Sequence, residues 1–475
     1  MRGRARLLPT LAAGSVVAAC QLAPPHTLPD MPTADVYPAE YSGDPLEGTR
    51  AGLLGWRDFI DDSRLETLIE AALERNRDLE AAIAQIEQAR GAFRVRRADR
   101  VPNLDATADA TRSEIVAGGA FGGGIPSAEG GVLESRAVSL GVSAFELDLW
   151  GRVRNASDAA LAEFLATSAA ARAVELSLIR EVSDAYLGWL EASERIRLAE
   201  ATVESRREEL EIAERRLEAG AVSALEVAQV TTLLTQAETQ LAALRLQRAQ
   251  SENALVVLIG GPLDAPAPAP AALGRQASTA PLAAGVPSEL LALRPDIVAA
   301  EERLRASRAN IGAARAAFFP SIALTASSGY SSSELDGLFS QDGDTWTFGP
   351  TLRVPIFDFG RRRANVTIAE AREHEAIADY ERTIQTAFRE VADALAGRRY
   401  LAEQVDAQQR ATEAQRELAE LARTRYQAGV VSYLEVLDAE RNLFDAEQAL
   451  LQVRRAEAAN LIALYVALGG GTASD

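Results

Sequence analysis

Arg216 to Val227 reads Arg-Leu-Glu-Ala-Gly-Ala-Val-Ser-Ala-Leu-Glu-Val, and 209 residues later Arg425 to Val436 reads Arg-Tyr-Gln-Ala-Gly-Val-Val-Ser-Tyr-Leu-Glu-Val. The same offset carries Gly151-Arg152 onto Gly360-Arg361 and Ile259-Gly260-Gly261 onto Leu468-Gly469-Gly470. One long unit is used twice, with a period far too long for a solenoid. The fold must therefore be one that a duplicated half can build.

Each half contains a stretch with almost no helix breakers. Arg152 to Ala219 has no proline and one glycine, Gly188, and Ala221 to Ile259 has neither. Arg361 to Ala428 has only Gly397, and Val430 to Leu468 has neither Gly nor Pro. A helix of about 65 residues is on the order of 100 Å long, wider than any compact domain. Val182, Trp189, Ile196, Val203, Leu210 and Leu217 step by seven, with Ala185, Ala192, Ala199 and Ala213 three further on. Large and small positions of that kind suit close helix pairing. Ile377, Tyr380, Ile384, Phe388, Val391 and Leu395 do the same in the second half. Each half reads as a long helical hairpin with its tip near Gly220 or Gly429. By periodicity alone, a cytosolic coiled-coil rod is the favoured reading.

The N-terminus carries Arg2, Arg4 and Arg6, the run Leu7 to Ala19, and then Cys20. A basic start, a short apolar segment and small residues before a cleavage point make a secretory signal. The run is too short to cross a bilayer. Val17-Ala18-Ala19-Cys20 resembles a bacterial lipobox, which implies that the mature chain starts at a lipidated Cys20 and is held at the outer membrane. Acyl chains contribute roughly 0.8 kcal/mol per buried methylene. As the single cysteine, Cys20 leaves no disulfide within the chain. The formal charge of -19 disfavours both nucleic acid and an anionic membrane surface as partners.

Upstream of each hairpin the pattern changes. Leu104 to Thr111 and Val138 to Phe145 alternate in polarity, and Ile322 to Tyr330 and Trp346 to Pro355 are rich in Thr, Ser and aromatics. Segments of this kind resemble membrane barrel strands. Loops are expected over Gly118 to Gly131 and Ser331 to Gly343. Four strands cannot close a barrel, and open edges in lipid leave backbone groups unsatisfied at several kcal/mol each. The chain must share a barrel with copies of itself, as a dimer at least or as a trimer with twelve strands.

Phe145-Glu146-Leu147-Asp148-Leu149-Trp150-Gly151-Arg152, its echo Val354-Pro355-Ile356-Phe357-Asp358-Phe359-Gly360-Arg361, Leu293-Arg294-Pro295-Asp296-Ile297, Ala317-Phe318-Phe319-Pro320 and the two tip motifs occur in a fixed order. With them the chain resembles the TolC-like outer membrane efflux protein family, in the lipidated branch serving resistance-nodulation-division pumps. The resemblance implies a mixed α and β fold. Four β-strands per chain enter a shared twelve-stranded trimeric outer membrane β-barrel, and the long helical hairpins form a periplasmic α-barrel tunnel. Pro102 and Pro320 then end helices before strands, and Gly151 and Gly360 turn the chain back from strand to helix.

By motif position the resemblance assigns Glu435 and Asp438, three residues apart on one helical face, to acidic rings at the periplasmic aperture, with Leu434 as a hydrophobic constriction. Three copies would gather about six carboxylates around one axis, a field that favours cations. A merely solvated helix face is the plainer reading. Gly220, Ala221, Val222 and Ser223 at the first tip, and Gly429, Val430, Val431 and Ser432 at the second, are the implied docking surface for a periplasmic adaptor protein. Alternatively, they only reverse the chain.

The partition expected is a signal over 1–19, a lipidated connector over 20–60, a first repeat over 61–261, a proline-rich connector over 262–287, a second repeat over 288–471 and a tail. The second connector is either a belt or a disordered linker. Enzymatic function, cofactors and metals find no support. His26 and His374 are the only histidines, and Gly118 to Gly124 lacks the residues of a phosphate loop. The expected function is a passive, gated duct for small toxic compounds, fed by an inner-membrane transporter through the adaptor. The alternatives are an export duct for proteins or metal ions, and a non-conducting structural periplasmic lipoprotein.

Overall fold

The computed structural model describes residues 22–38, 40, 48–115, 120–121, 125–126, 131–262, 268–278, 282–285 and 287–470. Cys20 and much of the Gly118 to Gly131 loop lie outside them. The principal elements are α1 (Ser63–Arg75), α2 (Arg77–Ala98), β1 (Asp105–Ile115), β2 (Gly131–Leu147), α3 (Arg152–Glu218), α4 (Ala224–Ile259), α5 (Pro295–Ala316), β3 (Ser321–Ser332), β4 (Asp344–Arg353), α6 (Arg361–Gln427) and α7 (Tyr433–Ala467). Helices α3 and α6 are 67 residues each and start 209 positions apart, as do α4 and α7. Among the described residues, no helix is long and apolar enough to cross a membrane.

The chain packs as two compact units. One contains Glu87–Ala166 and Glu301–Asp379, and the other contains Asp30–Ile86, Thr167–Ala300 and Tyr380–Asp475.

In the first unit, β1, β2, β3 and β4 form one antiparallel sheet in that order. The strands run 10 to 17 residues, enough to span a bilayer where about 9 to 11 are required. Strand β1 starts one residue after Leu104 and runs past Thr111, and β2 extends beyond both ends of Val138 to Phe145. Register places Val138, Leu140 and Val142 of β2 on the same face as Ala326 of β3 and as Trp346, Phe348, Pro350 and Leu352 of β4. Thr107, Ser139, Thr325, Thr347 and Thr351 fall on the other face.

Strict alternation through Phe145 would put that ring on the polar face. A bulge between Val142 and Phe145, with Ala144 at φ 53°, shifts the phase so that Phe145 and Leu147 rejoin the apolar side, opposite Leu324 and Ile322. Both outer strands, β1 and β4, leave one edge unpaired among the described residues.

The passages between sheet and helix are built alike in both halves. Gly151 and Gly360 take φ values of 75° and 85°, which favour glycine. Asp148 and Asp358 then accept hydrogen bonds from first-turn amides of α3 and α6, at 2.7 Å from Arg154 and 3.0 Å from Arg362. Pro102 and Pro320 each lie between the end of a helix and the start of a strand.

The second unit holds the main core, around Phe59, Leu65, Ile69, Ile179, Tyr186, Tyr380 and Tyr465. Phe59 stacks on Tyr465 at 4.1 Å. Asp62 caps α1 and also accepts a 2.7 Å bond from the Tyr186 hydroxyl and one from the Ala271 amide. The described parts of the proline-rich connector pack here: Leu273, Ala277, Leu282 and Ala284 are buried, which an unstructured linker would not allow. Along the α3 seam Val182, Ile196 and Val203 are buried, Ala192 and Ala199 fully so, and Ala185 and Trp189 are half-buried.

Candidate functional site: the two hairpin tips

Both tips lie in the second unit, and one turn design makes both. Helix α3 ends at Glu218; Gly220 takes φ 70°, and the Ala221 amide reaches back to the Arg216 carbonyl at 2.8 Å. Helix α6 ends at Gln427; Gly429 takes φ 72°, and the Val430 amide reaches the Arg425 carbonyl at 2.9 Å. These are left-handed glycine terminations that satisfy carbonyls the helix leaves open. Ser223 accepts the Glu226 amide and caps α4, whereas the Ser432 side chain makes no such bond. Ala221, Ser223, Gly429, Val430 and Ser432 are exposed, and Val222 and Val431 are partly so. Val430 and Leu225 project at 66% and 68% exposure, giving the tips an apolar surface.

The structure places Leu434, Glu435 and Asp438 on one exposed face of α7, opposite buried Val436 and Leu437. Neither acid is bare. Arg425 pairs with Glu435 at 3.2 Å across its own turn, and Arg441 pairs with Asp438 at 3.0 Å. The first pair has a counterpart in the other hairpin, where Arg216 faces Glu226 at 4.0 Å. Glu435 therefore braces its turn as Glu226 does. Asp438 has no acidic counterpart in the first half, where Gln229 stands.

Below the tips lies a charged cluster that the sequence reading did not assemble. Arg206 of α3 is 5% exposed and bonds Glu209 at 2.8 Å as well as Glu440 of α7. Arg423 of α6 bonds the other oxygen of Glu440, at 3.1 Å through Nε, and the Tyr433 hydroxyl donates to Glu209 at 3.0 Å. Burial pulls the Arg206 guanidinium down, but Glu209 and Glu440 outweigh it and hold it above its ordinary range. Burial, together with Glu209, pushes the Tyr433 hydroxyl up, so it stays a donor. Further along, Arg195 bonds Glu191 at 2.8 Å and also Gln448. A cavity of 350 Å³ opens beside Arg195, Arg206 and Gln448.

The signal was in the seam. Stepping by seven from Ala185 through Ala192 and Ala199 reaches Arg206 before returning to Ala213, so a cation occupies a small-residue position. Its partner on α7, Glu440, is 234 positions away, where periodicity within one hairpin cannot reach.

Across the described residues, no group of His, Cys, Asp and Glu is arranged to hold a metal. The model of a family described as outer membrane efflux protein matches residues 68–261 and again 286–470. Outer membrane protein OprJ of Pseudomonas aeruginosa is 42% identical over 95% of this chain and 93% of its own length. Toluene efflux pump outer membrane protein TtgI of Pseudomonas putida is 41% identical over 95% of each. The open-state structure of the Neisseria gonorrhoeae MtrE outer membrane channel superposes with a TM-score of 0.87 at 37% identity, covering 95% of this chain and 98% of that one. Matched along both halves by one family and at this identity to full-length channels, the chain belongs to the outer membrane efflux protein family.

Proposed function

We propose that this chain is one third of a passive exit duct in the outer membrane, and that small toxic molecules pass through it. Three copies close a twelve-stranded barrel, the long hairpins line a periplasmic tunnel, and Cys20 carries the lipid anchor. A periplasmic adaptor docks on the two tip turns, and an inner-membrane resistance-nodulation-division transporter supplies the energy. The observation that carries this reading is the sheet, apolar on one face, polar on the other and open at both edges, which lipid tolerates only when the barrel is completed. The protein performs no chemistry on its cargo. The similarity to TtgI, an outer membrane protein of a toluene efflux pump, supports apolar or weakly polar cargo.

In this reading Leu434, Glu435 and Asp438 narrow the periplasmic aperture. Because each acid is matched with an arginine, removing both carboxylates leaves Arg425 and Arg441 unopposed and should reverse the local field. In planar bilayers, Glu435→Ala with Asp438→Ala should move selectivity severalfold from cations toward anions and raise the resting conductance. Unchanged selectivity and conductance would remove these residues from the aperture.

A further inference from the structure

All the positive side chains of this chain are arginines; there is no lysine. They gather at one edge of the sheet. Register puts the start of β1, the end of β2, the start of β3 and the end of β4 at the same side, since Leu147 lies opposite Ile322 and Ser321 opposite Arg353. Every passage to a helix leaves from that edge, and each carries arginine, whereas the chain as a whole has a formal charge of -19.

Four of the acids nearby are already engaged, and Asp105 at the start of β1 enters no ion pair among the described residues. Asp99 meets Arg96, Glu146 holds Arg152, Asp358 holds Arg362, and Asp148 takes the Arg154 amide. The guanidinium groups of Arg94, Arg97, Arg100, Arg154, Arg361 and Arg363 are exposed and enter no ion pair among the described residues. Beside them Ile356 and Phe359 are each 92% exposed, and Phe357 is 75% exposed. At the opposite edge the charge reverses, with Glu114, Glu334, Asp336, Asp342 and Asp344 against Arg112 and Arg136. Surplus cations next to exposed aromatic and aliphatic side chains are the chemistry of a lipid headgroup boundary. Arginine's planar fork suits phosphate oxygens better than a point charge does.

We propose that the arginines at the helix-bearing edge of the sheet bind the phosphates of anionic phospholipids, with Ile356, Phe357 and Phe359 entering the acyl region beside them. The inference rests on the membrane insertion proposed above and adds a specific lipid partner to it. The headgroups fix the depth of the sheet and neutralise cations that would otherwise repel one another at the junction.

The test is native mass spectrometry of the full chain in mild detergent, mixed with equal amounts of phosphatidylglycerol and phosphatidylethanolamine bearing the same acyl chains. The wild-type oligomer should retain phosphatidylglycerol about fivefold over phosphatidylethanolamine, and inorganic phosphate should not displace it. The variant Arg94→Gln, Arg97→Gln, Arg361→Gln, Arg363→Gln should lose that preference while keeping its oligomeric mass and its bilayer conductance. Equal retention by the wild type, an unaltered preference in the variant, or displacement by phosphate alone would overturn the proposal. So would loss of the oligomer in the variant, which would assign these arginines to acids of neighbouring copies. A wild type that retains the lipid but does not conduct would count against the duct and leave the lipid site standing.

Discussion

Gly188 and Gly397 occupy equivalent positions in the middle of α3 and α6, but what faces them differs. A Cβ on Gly188 would meet the Ser251 hydroxyl at 3.4 Å, an ordinary contact, whereas one on Gly397 would meet the Asn460 amide oxygen at 2.1 Å. Asn460 in turn donates to the Ala394 carbonyl at 2.9 Å, so it cannot swing aside without giving up that bond. Alanine is worth about 1 kcal/mol over glycine in a helix interior. Gly188→Ala should therefore stabilise the protein by up to about 1 kcal/mol, and Gly397→Ala should destabilise it by about 1 to 2 kcal/mol. Thermal unfolding of the two variants side by side checks this. Equal shifts in one direction would mean that neither glycine is there to let the return helix approach.

Between elements, the cluster around Arg206 ties α3 to α6 and α7 beneath the tips. Removing one member of a buried pair costs about 3 to 5 kcal/mol because the partner's charge is left uncompensated. Glu440→Ala strips Arg206 of one carboxylate and Arg423 of its own, so a loss of about 3 kcal/mol in denaturant unfolding is expected. A loss under about 1 kcal/mol would indicate that water from the adjoining cavity already screens the pair.

The helices, both hairpins and their turns could be read from the chain because glycine, proline and seven-residue spacing are local signals. The four strands were legible as segments, but the bulge at Ala144 was not: its cause is the need to keep Phe145 and Leu147 on the apolar side, visible only once β3 lies alongside. The Arg425–Glu435 brace was likewise hidden. Nothing in the sequence marks a charge as facing its own turn until Arg216 and Glu226 are seen doing the same.

For the molecule as a whole, the decisive quantity is the number of chains. Protein extracted from outer membranes in mild detergent should have the native mass of three copies, and a Pro replacing Thr347 on the outermost strand should reduce that yield several-fold by distorting an edge that must pair. Stable monomers that still conduct would contradict the shared barrel.

Both open edges, along β1 and β4, also govern how the protein can be made. A single copy has no stable membrane-inserted form available, so insertion and association are one event, and it requires three copies at once. Near equilibrium, the amount of finished channel then scales with the cube of the free chain concentration. A twofold drop in the free chain concentration would cost about eightfold in channels. Channel number therefore responds more steeply than the pool of unassembled chains that feeds it.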